Sequence, residues 1–241
     1  MFTTSPAIVL NRVKHSDSTL VVSLYTEAMG TVAFAVRIPK TSRASIKPTL
    51  FQPLNILTIE WDHRPNQNLQ RLRNCHVLTP YSTISYEPQK AIIATFLAEV
   101  VHHSLKEEHQ GELFPFLQNS LMWLDCTKAG YEDFHIVFLI KFARFLGFQP
   151  NIDEHDERPY FDLVNAEYAD AQPLHNFYLR RGDAQYIPLF LRLQYHNVQH
   201  LHLTRELRLR ALNIITTYYR LHIPQFPKLH SFEVLTQLMN E

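Results

Sequence analysis

Scarcity says the most about this 241-residue chain: it has two cysteines, five glycines and no unbroken apolar run of membrane-spanning length. Cys75 and Cys126 stand too far apart to frame a disulfide scaffold, which points to a reducing, intracellular compartment. Gly30, Gly111, Gly130, Gly147 and Gly182 are too dispersed to assemble a dinucleotide fingerprint or a phosphate-binding loop. The most apolar stretch, Ile136 to Ile140, runs into Lys141, and no charged-then-apolar leader opens the chain. A soluble cytoplasmic protein without a membrane partner is the expectation.

Net charge is also lacking, yet its distribution is uneven. Residues 1 to 80 carry nine basic side chains (Arg12, Lys14, Arg37, Lys40, Arg43, Lys47, Arg64, Arg71, Arg73) against four acids (Asp17, Glu27, Glu60, Asp62), a balance of +5. The remainder is acidic by the same amount. Opposite signs on two parts of a chain suggest that only one of them faces a polyanion. At 46% hydrophobic and 19% charged, the composition is that of an ordinary globular protein, and the length accommodates two cores.

What is present begins with strands. Ala7 to Arg12, Thr19 to Tyr25 and Thr31 to Arg37 are β-branched and aliphatic runs, with a polar turn at Lys14 to Ser18 and Gly30 at the second reversal, where a positive φ is cheap only for glycine. The segment PKTSRASIKP then places Lys40, Arg43 and Lys47 between two prolines in an exposed loop. Asn55 to Trp61 and Leu69 to Leu78 supply two more strands. Five short antiparallel strands in about eighty residues predict an N-terminal five-stranded OB-fold barrel, whose curved face suits nucleic acid. The fold class is therefore α+β, with a barrel domain at 1–80, a linker at 81–88 flanked by Pro80 and Pro88, and an all-α helical bundle domain at 89–241.

From Gln89 the apolar period is helical, with Ile92, Ile93, Phe96, Leu97, Val100, Val101 and Leu105 on one face. Further helices are predicted over Glu112 to Cys126, Phe134 to Phe148, Asp183 to Tyr195, Thr204 to Tyr219 with Thr204 as the cap, and from Ser231. Between Asn151 and Arg181 the helical pattern lapses into a short hairpin or an irregular excursion.

These residues also resemble a known family. The order of AIVL (Ala7 to Leu10), a polar turn, LYTEAMG (Leu24 to Gly30), TVAFAVR (Thr31 to Arg37), KTSR (Lys40 to Arg43) and LFQPLNILTIE (Leu50 to Glu60) resembles the N-terminal domain of the bacterial RecO family of recombination mediators. The resemblance continues through FLGFQPN (Phe145 to Asn151) and PQFPKLHSFEVL (Pro224 to Leu235). It departs at Ile38, near where the family places a glycine. The resemblance implies DNA repair and recombination after DNA damage: a nucleoid-associated protein that binds single- and double-stranded DNA, carries out strand annealing, and works with RecR to load the recombinase RecA. It also implies binding to the acidic, apolar C-terminal tail of single-stranded DNA-binding protein (SSB).

The candidate DNA-binding residues are Arg37, Lys40, Arg43 and Lys47 around the loop, Arg12 and Lys14 at the end of the first strand, and Arg71 and Arg73, which alternate onto one face of the fifth. Tyr25, Phe34 and Trp61 are either stacking residues or core. For the SSB tail, an apolar groove with cations is required, and the third long helix offers Phe138, Lys141, Phe142, Arg144 and Phe145, with Arg208 or Arg210 beside it and Lys228 and His230 as further contributors.

Many RecO-like proteins hold zinc with four cysteines in the excursion. This chain has none between residues 151 and 181, so a four-thiolate site is excluded and Tyr160, Phe161, Leu163, Tyr168 and Leu174 are expected to hold the segment by packing. His196 and His200 share a helical spacing, but with fourteen histidines such pairs arise by chance, and no metal or other cofactor is assigned. No catalytic residues emerge, so an enzyme is not expected. Two rivals remain: a protein-only adaptor built on an OB-like barrel, and a metal-dependent nuclease or hydrolase using the histidines.

Overall fold

The computed structural model describes residues 2–37, 46–105, 110–150, 158–198 and 203–238. They form two compact units, Met1–Cys126 with Leu229–Leu238, and Thr127–Lys228.

The first unit opens with five strands, β1 (Phe2–Ser16), β2 (Thr19–Thr26), β3 (Gly30–Arg37), β4 (Ile56–Asp62) and β5 (Leu69–Thr79), closed into a barrel in the order β1-β2-β3-β5-β4. At fifteen residues, β1 is long enough to pair with two neighbours: Phe2 to Ile8 with β4, and Ala7 to Ser16 with β2. A register shift between Val9 and Asn11 bends it from one to the other. Gly30 takes φ 72° at the β2–β3 reversal, where Thr26 Oγ1 donates to its carbonyl at 2.9 Å. Closure comes from a parallel pairing of Ala33–Ala35 with Leu69–Arg71, the one departure from an all-antiparallel barrel. Inside lie Ala7, Val9, Val22, Leu24, Phe34, Phe51, Leu57, Ile59 and Trp61, with Phe34 edge-on to Trp61 at 5.6 Å. Burying a side chain such as Phe34 contributes about 3 kcal/mol.

Helices α1 (Pro88–Ser104) and α2 (Leu113–Cys126) belong to this unit. Their tie to the barrel is specific. Tyr25 on β2 stacks on Phe114 of α2 at 6.5 Å and donates its hydroxyl to the Gln110 carbonyl, while Asn11 on β1 meets His102 of α1 at 3.2 Å. The predicted linker is also pinned: Asp125 accepts the amides of Ser82, Thr83 and Ile84 at 2.8–2.9 Å. The final helix of the chain, α8 (His230–Leu238), returns to α1, where the Glu99 carboxylate caps it by accepting the amides of His230 and Ser231 at 2.8 Å and the Ser231 hydroxyl.

The second unit is built on α3 (Phe134–Phe145), whose Phe134, Phe138 and Phe142 stack in series at 6.1 and 5.7 Å. It ends three residues earlier than its apolar run suggests, because Gly147 turns the chain at φ 80°. The excursion is an ordered three-stranded sheet, β6 (Tyr160–Asp162), β7 (Glu167–Ala169) and β8 (Tyr178–Arg180), with β6 in the middle. Phe161, Leu163 and Tyr168 are buried as expected, but Leu174 is fully exposed and Leu179 takes its place. The helix predicted over Asp183 to Tyr195 is broken into α4 (Arg181–Ala184), α5 (Ile187–Arg192) and α6 (Tyr195–Val198), with Pro188 opening α5. Last comes α7 (Arg205–His222), capped by Thr204, whose Oγ1 accepts the Leu207 amide. Its Tyr219 donates to the Leu139 carbonyl of α3 at 2.7 Å. No helix among the described residues is long and apolar enough to cross a membrane.

Candidate nucleic-acid interface

Strand register gathers the barrel's cations at one end. Lys14 lies opposite Leu20, and Leu20 opposite Val36; one step on, Ser16 faces Thr19 and Thr19 faces Arg37. Lys14 and Arg37 therefore sit at the same end, where β3 leads into the basic loop. Pro48 lies there too, its carbonyl accepting from Arg12 Nη1 at 3.3 Å, one residue after Lys47. Arg71 lies beside Ala35 of β3, two residues before Arg37.

Their electrostatic states differ. Lys14 pairs with Asp17 at 2.7 Å, and Arg73 pairs with Asp62 at 2.5 Å. These are exposed pairs, worth less than about 1 kcal/mol, so neither cation is withdrawn from solvent. Among the described residues, Arg37, Lys47 and Arg71 are exposed and have no carboxylate partner. Lys40, Arg43 and Ile38 lie outside the described residues. The three candidate stacking aromatics are core: Tyr25, Phe34 and Trp61 are each 0% exposed. The barrel's exposed aromatic is Phe2, 55% accessible, with the Arg73 guanidinium 5.9 Å above its ring. Counting back in steps of two from inward-facing Ala7 and Val9 leaves Phe2 on the outward parity, a signal the sequence contains.

The candidate peptide site on α3 requires correction. Phe138 and Phe142 are 1% and 0% exposed, held in the aromatic series of the core, and offer no face to a partner. Arg208 is bound to Asp133 at 2.5 Å and is largely buried. Of the remainder, Arg144 is exposed, Phe145 is half-buried, and Lys141 donates to Gln194 at 2.7 Å while lying over the Tyr195 ring. Burial, and then the neighbouring Arg144, lower the Lys141 pKa. An apolar cavity opens on another flank of α3, where Leu139, Ile140 and Ala143 line about 90 Å³ together with Ile187, Phe190 and Tyr218. Arg210 and Asp183, paired at 2.5 Å, lie by Phe190. A helix apolar on nearly every side does not announce which flank stays open.

The excursion at Tyr160–Arg180 is anchored by a carboxylate. Asp162 accepts the amides of Val164 and Asn165 at 2.7 and 3.1 Å and the Asn165 side chain at 2.8 Å, with His175 at 3.3 Å. Its oxygens are thus engaged by donors, and no group of three or more metal-ligating side chains is assembled among the described residues. Among the described residues of the excursion, the side chains do not assemble a zinc site. His200 lies outside the described residues, so the His196–His200 spacing is not seen as a pair.

A closed five-stranded barrel of the oligonucleotide-binding type, continued by helices and with its cations gathered at one end, defines the class of protein. Two family models match in succession: Recombination protein O N terminal over residues 1–81 and Recombination protein O C terminal over residues 86–231. The DNA repair protein RecO of Bacteroides fragilis is 39% identical over 235 residues, 97% of each chain. That of Phocaeicola vulgatus is 38% identical over 234 residues, also 97% of each, and that of Flavobacterium psychrophilum 31% over 236 residues, 97% of this chain and 98% of its own. The chain belongs to the RecO family, and with it to DNA repair by recombination.

Proposed function

We propose that this chain is a non-enzymatic recombination mediator that binds single- and double-stranded DNA through the basic end of its barrel, anneals complementary strands, and with RecR helps load RecA onto SSB-coated strands. One observation carries the reading: Arg12, Lys14, Arg37 and Lys47 converge on one end of the barrel, with Arg71 alongside, and four of the five have no acid partner among the described residues. Cations so grouped neutralise phosphates and release counterions without reading bases, the chemistry that brings two polyanionic strands together.

The SSB tail, acidic and apolar, finds both of its requirements in the second unit: the cavity beside Leu139, Ile140 and Ala143, and the cations Lys141, Arg144 and Arg210. The division of labour follows charge, with DNA on the barrel and protein partners on the helical part. The protein acts at the nucleoid.

Fluorescence anisotropy of a labelled single strand, titrated with the full chain at several salt concentrations, tests this. Binding that weakens steeply with salt is expected, with a shallower slope for the Lys40→Glu, Arg43→Glu, Lys47→Glu variant. Weak binding insensitive to salt would favour a protein-only adaptor. Unchanged affinity in the folded variant would remove the loop from the interface.

A further inference from the structure

The β1–β2 hairpin carries an edge that the barrel does not use. β1 pairs with β4 only as far as Ile8 opposite Ile56, and just beyond, Val9 meets the Leu54 amide and the Asn55 carbonyl. Its pairing with β2 runs on to Ser16. From Arg12 to Ser16, among the described residues, no strand lies on the other side of β1. All of these residues are exposed, Val13 at 56%. Over the same stretch β2 is flanked on both sides, by β1 and by β3 as far as Arg37. What remains is a free edge about 17 Å long, along which outward N–H and C=O groups alternate.

Side chains along the edge alternate in kind. Val13 lies opposite Val21, and Val21 opposite Ala35, an apolar row on one face of the sheet. Arg12 and Lys14 fall on the other face, opposite the buried Val22 and Leu20. A strand added here sets apolar side chains beside Val13 and acidic ones beside Arg12 and Lys14. Arg12 has no acid partner among the described residues, and Lys14 pairs with Asp17 at 2.7 Å, an exposed pair that an incoming carboxylate exchanges at little cost. At its Arg12 end the edge opens on a cleft of about 660 Å³ in which Leu10, Phe51, Pro53, Ile92 and Val234 supply apolar surface, room for a side chain beyond the paired residues.

Charge and backbone chemistry select the occupant. Two copies of the chain meeting antiparallel about Val13 set Arg12 of each against Lys14 of the other, and like charges directly opposed are destabilising. A nucleic-acid backbone offers acceptors without N–H donors, so it does not match the alternation of the edge. A polypeptide does, and its side chains of alternate residues meet the two faces separately.

We propose that the free edge of β1 at Arg12–Ser16 is a docking site for an extended segment of a partner protein in which acidic and apolar residues alternate, held as an added strand. This contact goes beyond DNA binding and is read with no DNA present. The probe is a fluorescein-labelled peptide of four Glu-Val repeats, titrated by anisotropy into the full chain at neutral pH and low salt. Beside it are run two forms of the peptide, N-methylated at every glutamate or at every valine. Because only one set of its N–H groups faces β1, the unmodified peptide is expected to bind about tenfold more tightly than one of the methylated forms. Amide exchange over residues 11–16 is expected to slow in the complex. In an Arg12→Glu, Lys14→Glu variant the preference is expected to reverse, a peptide of four Lys-Val repeats binding more tightly than the Glu-Val one. Equal binding of the methylated and unmodified peptides, no binding by any of them, or an unchanged preference in the folded variant overturns the proposal. So does protection of these amides by a single DNA strand and not by the peptide, which would give the edge to nucleic acid. The methylation comparison uses the wild-type chain, so it decides the matter even where the variant fails to fold.

Discussion

Asp125 and Thr83 bind each other twice over. The Asp125 carboxylate accepts the Thr83 amide at 2.8 Å, and the Thr83 hydroxyl donates to the Asp125 carbonyl at 2.6 Å. Beneath them the wholly buried Lys90 donates to Thr83 Oγ1 at 2.7 Å and to the Asp125 carbonyl at 3.4 Å. One carboxylate at the end of α2 thus anchors the segment that connects barrel to helices.

Replacing Asp125 with Ala orphans the amides of Ser82, Thr83 and Ile84 at once. At about 1 kcal/mol for each unpaired donor, a loss of about 3 kcal/mol is expected, read as a lower urea midpoint at neutral pH. Hydrogen bonds hold the carboxyl pKa below its usual value against the opposing effect of burial. The ionised form is the one the fold prefers, so this stability is present above the ordinary aspartate pKa and fades as pH falls through the lowered one. A variant as stable as the wild type would show the anchor to be dispensable.

His135 of α3 gives a second, separate acid sensitivity. Burial, and then the nearby Arg208, push its pKa down to about 3. The folded chain therefore holds this imidazole neutral while the unfolded chain protonates it near pH 6.5. Stability attributable to this site is complete above that pH and is lost as pH falls towards 3, at about 1.4 kcal/mol per pH unit. His135→Leu is expected to flatten that slope in urea unfolding between about pH 6 and pH 4. A slope identical to the wild type's would assign the acid response elsewhere.

Most of the fold is legible in the sequence because alternation and apolar period act locally. The five strands lie within a few residues of their expected bounds except for β1, whose first five residues, Phe2 to Pro6, carry too few β-branched side chains to show as a strand and are held by pairing with β4. The parallel closure of β3 on β5 is a long-range contact without a local signature. The sheet at Tyr160–Arg180 is only half legible, a short hairpin being one of two expectations there: its strands are three residues each, too short for a period to decide, and the turn after β6 is made by one aspartate. At the candidate site the cations of the barrel end could be read from the loop composition. Which aromatics faced outward could not, since Phe138, Phe142 and Phe145 recur at i, i+4 and i+7 on one face of α3 and differ only in how close they stand to its C-terminal end.

The Asp162 turn supplies a test of how this sheet stands without zinc. Asp162→Ala removes the acceptor for two amides, the Asn165 side chain and His175, and a loss of about 2 kcal/mol or more is expected. The effect should appear as faster proteolysis between residues 158 and 181. Adding zinc should not restore protection, because no thiolates stand in that segment to bind it. Rescue by zinc would mean that the excursion retains a metal site.

Pairing state should decide how much each barrel cation matters to DNA. Arg37 and Arg71 are exposed without acid partners among the described residues, whereas Arg73 is bound to Asp62 and rests on Phe2. A phosphate reaching Arg37 or Arg71 meets a free guanidinium; one reaching Arg73 competes with a carboxylate already in place. Arg37→Gln and Arg71→Gln are each expected to lower the slope of log affinity against log salt by about one unit, while Arg73→Gln lowers it by less. Asp62→Asn, which frees Arg73, should then steepen the slope and tighten binding. Equal slopes for all four variants would mean that the strand does not run along the β3–β5 side of the barrel, and would restrict the interface to the end formed by Arg12, Lys14, Lys47 and the loop between β3 and Pro48.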